Sequence, residues 1–142
     1  MALDKVMYST TVTVKGGREG EAASADSLLK LKLSKPKELG GPGGTGTNPE
    51  QLFGAGYAAC FLSALELVSG KKKIALSREA SIVADVSLGM NGQALGLAVT
   101  LNVRLPGMDK VQADELVALA HQTCPYSNAT RNNIDVTLKV SV

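Results

Sequence analysis

Two apolar runs of period two meet at Asn91-Gly92, and that arrangement leaves the chain few folds to choose from. Ile82, Ala84, Val86, Leu88 and Met90 alternate with polar or small residues before the turn. Leu95, Leu97, Val99, Leu101, Val103 and Leu105 line one face after it. Period-two alternation puts the apolar side chains on one side of a pleated strand, and Asn-Gly supplies the positive φ that a tight hairpin turn requires. The pattern predicts a long antiparallel hairpin, ended by Pro106-Gly107. A sheet with one apolar face must be covered by another element.

The covering element is announced by Asn48-Pro49-Glu50: an N-cap, proline at the first helical position and an acid in the first turn. The helix is expected to run to about Ser69, with Gly70 as its stop. It is apolar nearly all round, so it must be buried on most sides. Gly54, Ala55, Gly56, Ala58 and Ala59 form a small-residue seam in its middle. Each glycine there costs about 1 kcal/mol of helix propensity relative to alanine, a cost that makes sense where another backbone packs closely. The seam suggests a second helix, with a partner subunit's as a candidate.

Val111, Leu116, Leu119 and Ala120 give Asp109 to about Thr123 the pattern of an amphipathic helix, ended by Cys124-Pro125. Tyr126 to Asn133 reads as a polar loop. Further strands are expected over Lys5–Val14, around Leu29, Leu31 and Leu33, and from Ile134 to Val142. With no internal repeat and no linker, the expectation is a single α+β domain over 1–142, an antiparallel sheet packed on two main helices.

Composition excludes several functions. At 142 residues the chain can bury a core without disulfide or metal. A net charge of +2 is too small to mark a nucleic-acid or membrane surface, and the Lys71-Lys72-Lys73 run reads as a solvated turn. The longest apolar stretch, Leu52 to Val68, contains Ser63 and Glu66 and falls short of the roughly 20 residues a membrane span needs. No targeting segment is recognisable, so the cytoplasm is the expected location. Gly40-Gly41-Pro42-Gly43-Gly44-Thr45-Gly46 lacks the Gly-Lys-Ser/Thr ending of a phosphate loop and reads as a flexible or backbone-tight loop. Two cysteines and one histidine cannot by themselves complete a four-ligand zinc site.

The two cysteines, sixty-four positions apart, are therefore either inert core thiols or redox groups. Cys60 sits some ten residues into the buried helix, where the helix dipole has faded, so an activated thiolate would need an external cation. Cys124 ends the second helix, beside a proline and a polar segment where backbone can move, and is the second partner in any redox pair. Arg18, in Gly16-Gly17-Arg18-Glu19-Gly20, is the candidate cation; alternatively it is an exposed loop arginine. A guanidinium about 4 Å from a thiolate, at an effective dielectric near 20, gains about 4 kcal/mol, or about 3 pKa units before desolvation opposes it. Glu50 is either a favourable first-turn acid or the carboxylate that holds Arg18 by a bidentate pair. Glu50 and Cys60 lie about 15 Å apart along a continuous helix, too far to meet one arginine. Either the helix begins after Glu50 or a partner subunit supplies one member, and the small-residue seam favours the partner. His121, the only histidine, has no oxyanion site or nucleophile set around it and reads as structural or as part of a rim.

Three segments also carry a resemblance: Asn48-Pro49-Glu50-Gln51-Leu52-Phe53, Gly56-Tyr57-Ala58-Ala59-Cys60-Phe61, and Cys124-Pro125-Tyr126-Ser127-Asn128-Ala129-Thr130-Arg131. Together they closely resemble the organic hydroperoxide resistance proteins, a branch of the OsmC-like superfamily, over essentially the whole chain. The resemblance implies an intertwined homodimer whose sheets contain strands of both subunits. It implies Cys60 as peroxidatic, Cys124 as resolving, and Arg18 and Glu50 as the activating pair. It also implies reduction of organic hydroperoxides without metal or cofactor, and recycling by dihydrolipoamide or a lipoylated protein.

Overall fold

In the computed structural model, which describes residues 2–142, the chain divides into two units, Met1–Pro49 and Glu50–Val142. The first is built on a small antiparallel sheet of β1 (Val12–Lys15), β2 (Glu21–Ser24) and β3 (Lys30–Lys32), in that order. Val12 pairs with Ser24 and Lys15 with Glu21, so the Gly16–Gly20 segment closes a hairpin. That segment is tighter than the expected free loop. Gly16 and Gly17 have φ of 77° and 57°, and a Cβ on Gly20 would fall 1.7 Å from Lys15 O.

The strand expected over Lys5–Val14 forms only from Val12 onward. Val6, Met7 and Tyr8 are 63%, 93% and 79% exposed, although their pattern is that of a strand. A strand forms only where its backbone finds a ladder, and pairing within the chain stops at the bond from Ala25 N–H to Thr11 O. Further along, Leu33 bridges to Thr47 and the Ser34 hydroxyl accepts from Gly46 N–H at 2.9 Å. The glycine-rich segment between them is thus the backbone-tight alternative.

The second unit holds the main core. Helix α1 (Pro49–Lys71) is followed by the hairpin β4 (Ser81–Asn91) and β5 (Ala94–Arg104), then α2 (Lys110–Thr123), α3 (Pro125–Thr130) and β6 (Asp135–Ser141). The expected hairpin forms, in register from Ser81↔Arg104 to Asn91↔Ala94, but its two-residue loop is Gly92-Gln93, with Asn91 still in the strand and Gly92 at φ 63°. β6 lies beside β5 in parallel register, Ala98↔Asp135 to Arg104↔Ser141, so this sheet is mixed and not purely antiparallel. Val99, Leu101, Val103 and Leu105 are all at most 2% exposed and pack in one cluster with Tyr57, Phe61 and Leu65 of α1 and Ala113, Leu116 and Ala120 of α2. Each such side chain contributes about 1.5–3 kcal/mol by leaving water. The fold is α+β, as expected.

Two local expectations are corrected. Gly70 does not stop α1; the helix passes it and closes at Lys73, the residue with φ 57°. Ile74 N–H bonds Ser69 O and Lys73 N–H bonds Gly70 O, a Schellman closure with lysine in the left-handed position. Tyr126 to Asn133 is not a plain loop: Pro125 starts α3 at its first position, with Cys124 as N-cap. Within this unit the two seam glycines face strand β4 and the Tyr126 ring of helix α3. A Cβ on Gly54 would lie 3.2 Å from Val86 Cγ2, and one on Gly56 would lie 2.9 Å from the Tyr126 hydroxyl. α1 is long and apolar enough for a membrane span by composition, but Tyr57, Phe61 and Leu65, all at 0% exposure, make it the core helix.

Candidate active site

Both cysteines reach one place because of where three helices end and cross. α1 carries Cys60 at its midpoint, one turn after the fully buried Tyr57. α2 ends at Thr123 after an N-cap in which Asp109 accepts from Gln112 N–H, and the chain turns at Cys124 into α3. This brings Cys124 Sγ to 3.6 Å from Cys60 Sγ, with Cys124 as donor. Both are free thiols; Cys124 is fully buried and Cys60 is partly exposed. Of the two, only Cys60 has surface open to solvent in this chain.

Burial pushes the Cys60 thiol above its ordinary value. The main-chain N–H of Tyr126 opposes that push, and the neighbouring Cys124 adds to it, since two sulfurs in contact resist double ionisation. Within this unit, then, the thiolate is favoured by one backbone donor and disfavoured by its surroundings. Phe53, Tyr57 and Tyr126 form an aromatic cluster where α1 meets α3, with ring centroids 5.8–6.4 Å apart.

Of the other expected site residues, Glu50 lies in the first turn of α1, about 15 Å along the axis from Cys60. The helix does begin before Glu50, which removes the alternative of a later start. Glu50 lines a groove of about 500 Å³ with Gln51, Gly54, Ala58, Ile82 and Asp85, and no cysteine opens into it. Arg18 belongs to the first unit, in a single 3-10 turn, Gly17–Glu19, between β1 and β2, and is partly buried there. Among the described residues no group of His, Cys, Asp and Glu is arranged to hold a metal ion.

Sequence reasoning passed over a buried polar cluster behind the sulfurs. Tyr57 Oη lies 2.9 Å from Ser127 Oγ and 3.2 Å from Thr130 Oγ1, and Ser127 Oγ lies 2.9 Å from His121 Nδ1. Arg131 fastens the same corner, donating to Asn128 Oδ1 at 2.7 Å and to the His121 carbonyl at 2.6 Å. The structural reading of His121 fits this placement. The signal was present as the polar Tyr-Ser-Asn-Ala-Thr-Arg run, but polarity alone reads as solvent exposure.

A partly exposed thiol 3.6 Å from a buried one, in a helical crook of an α+β fold, is a candidate two-cysteine site. The comparisons with known proteins identify the family. A family model described as OsmC-like protein matches residues 41–139. The organic hydroperoxide resistance protein of Xanthomonas axonopodis pv. citri is 54% identical over 138 residues, 97% of each chain. Organic hydroperoxide resistance protein OhrA of Bacillus subtilis is 43% identical, covering 98% of this chain and 99% of its own. A crystal structure of an organic hydroperoxide resistance protein from Legionella pneumophila superposes with a TM-score of 0.92 at 49% identity, covering 97% of this chain and 100% of that one. The chain belongs to the OsmC-like family, in its organic hydroperoxide resistance branch.

Proposed function

We propose that this chain is a cysteine-based peroxidase that reduces organic hydroperoxides to alcohols in cytoplasmic defence against oxidative stress. The observation that carries the reading is the 3.6 Å contact between a partly exposed Cys60 and a buried Cys124. The names of the relatives, organic hydroperoxide resistance proteins, supply the substrate class.

The Cys60 thiolate attacks the distal oxygen of R–O–O–H. The O–O bond breaks, the alkoxide takes a proton and leaves as alcohol, and the sulfur becomes a sulfenic acid. Cys124 then displaces the hydroxyl, giving the Cys60–Cys124 disulfide and water. A dihydrolipoyl-type dithiol restores both thiols by exchange and is itself oxidised to its disulfide. No step calls for a metal or cofactor. The apolar cluster against which Cys60 packs favours an alkyl or acyl hydroperoxide over hydrogen peroxide.

The thiolate needs more help than Tyr126 N–H supplies, because burial raises the Cys60 pKa. Arg18 is the proposed cation and Glu50 its anchor. Since α1 is continuous through both Glu50 and Cys60, one of the three groups is supplied by a second subunit of a homodimer. The extended, exposed Val6, Met7 and Tyr8 support strand exchange between two subunits, each one OsmC-like domain over 1–142. When Cys60 loses its charge to the disulfide, Arg18 is expected to loosen from the site.

One equivalent of cumene hydroperoxide added to reduced protein tests the assignment. Peptide mass spectrometry is expected to show Cys60 joined to Cys124, with one equivalent of alcohol released. Oxidised but unjoined cysteines would contradict it.

A further inference from the structure

The peroxidase cycle gives no task to the polar side chains buried behind the two sulfurs. Tyr57 Oη, Ser127 Oγ and His121 Nδ1 form a hydrogen-bonded chain with links of 2.9 Å each, and Tyr57 and Ser127 have no exposed surface. Their placement is regular. Tyr57 precedes Cys60 by three residues on α1, His121 precedes Cys124 by three on α2, and Ser127 follows Cys124 by three on α3. Residues three apart on a helix are neighbours on one face. The chain therefore ties together the three helices that carry the sulfurs, about one turn from each. Packing alone would be served by Phe, Ala and Leu, without dehydrating two hydroxyls and an imidazole. What hydrogen bonds add to packing is direction.

We propose that the Tyr57–Ser127–His121 chain is a positioning device that holds Cys124 against Cys60, so that disulfide closure outruns a second oxidation. This rests on the hydroperoxide reading above. After the first turnover two reactions compete for the Cys60 sulfenic acid. In closure, the Cys124 sulfur forms the S–S bond, the S–O bond breaks, and the hydroxyl leaves with the thiol proton as water. In overoxidation, a second hydroperoxide transfers its distal oxygen to the sulfenic sulfur, giving sulfinic acid and another alcohol. Closure is unimolecular, whereas overoxidation grows with peroxide concentration. Sulfurs in contact at 3.6 Å have only to approach to the roughly 2.05 Å of a disulfide. Misplacement by about 1 Å can cost a reaction of this kind up to about a hundredfold.

Tyr57→Phe and Ser127→Ala each remove one hydroxyl and are compared with wild type and with Cys124→Ser, in which closure is abolished. Reduced protein is mixed with tert-butyl hydroperoxide at increasing excess. Rapid quenching with a thiol-alkylating agent at successive times follows the two steps, and intact mass reports disulfide against sulfinic acid. Both variants are expected to keep the wild-type rate of first oxidation, because neither hydroxyl reaches the surface that the peroxide approaches. Closure is expected to slow about tenfold, and half-overoxidation to occur at about one tenth of the wild-type peroxide concentration.

Wild-type closure and wild-type overoxidation in both variants would overturn the proposal. So would an equal slowing of both steps, which marks a general loosening, or a loss of fold in both. If only one variant folds, it decides alone: Tyr57 in Ser127→Ala still has Thr130, and Ser127 in Tyr57→Phe still has His121. A wild type that hydroperoxide does not oxidise at Cys60 would instead bring down the hydroperoxide reading, before any variant is compared.

Discussion

The main-chain N–H of Tyr126, two residues beyond Cys124, faces Cys60 and offsets part of the upward push that burial puts on its thiol. One turn of chain thus brings both the second thiol and a donor for the first thiolate. The arrangement depends on α3 holding its place, because a shift of that helix would move donor and thiol together. Removing the second thiol while keeping the turn separates the two contributions. Cys124→Ser is expected to retain the first oxidation of Cys60 within a fewfold, to form no intramolecular disulfide, and to accumulate sulfinic acid under repeated peroxide additions. Intact-mass analysis after each addition checks this; a Cys124→Ser protein that resists overoxidation as wild type does would contradict it.

The upward push of burial on Cys60 sets a second expectation. If Arg18 is the cation that offsets it, Arg18→Ala raises the thiol pKa further and leaves less thiolate at neutral pH. The rate of Cys60 alkylation by monobromobimane, followed against pH, is expected to move its midpoint upward by at least about one unit, a tenfold loss of reactivity near pH 7. Glu50→Gln is expected to shift it in the same direction by less. An unchanged midpoint in Arg18→Ala would remove Arg18 from the site.

His121 links pH to stability. Its pKa lies below the ordinary value, first through burial and second through the charge of Arg131. The unfolded chain then binds the proton before the folded one does, so this contribution to stability is lost as pH falls through about 6.5. Urea midpoints measured from about pH 7.5 down to 5.5 are expected to fall for wild type and to fall less for His121→Gln. Parallel declines would show that His121 keeps its proton equally in both states.

Helix α1 has two glycines in opposite situations. A Cβ on Gly70 would meet nothing within 4 Å, so Gly70→Ala is expected to stabilise the fold by about 0.5–1 kcal/mol with turnover unchanged. A Cβ on Gly56 would come within 2.9 Å of the Tyr126 hydroxyl. Gly56→Ala is therefore expected to displace the Tyr126 ring and slow peroxide reduction severalfold, whatever its effect on the melting temperature. Thermal melts and alkyl hydroperoxide kinetics on the two variants check both halves.

The hairpin from Ser81 to Arg104 and both long helices were legible in the sequence, because amphipathic periodicity and caps act locally. What was not legible depends on distant partners. Alternation marks β6 as a strand but says nothing of its direction, and its parallel register on β5 follows from α2 and α3 carrying the chain back across the sheet. Lys5–Thr11 has a strand's pattern without a ladder in its own chain. Pro125 reads equally as the end of one helix and the start of the next, so α3 went unseen. Spacing offered no hint that Cys60 and Cys124 touch across sixty-four positions; the local sequence made Cys124 only the second partner of any redox pair, and the resemblance implied the pair itself. The Tyr57–Ser127–His121 chain was hidden because its polar members occupy what looks like a surface segment.

Catalytic turnover is the most direct test of the central claim. Substoichiometric wild-type protein is given excess tert-butyl hydroperoxide with dihydrolipoamide, and in parallel with a monothiol, beside Cys60→Ser. The account predicts many turnovers by wild type with the dithiol, far fewer with the monothiol, and none by Cys60→Ser. Consumption of about one equivalent of peroxide by wild type, followed by arrest in the presence of dithiol, would contradict it and mark the cysteine pair as a single-use sensor.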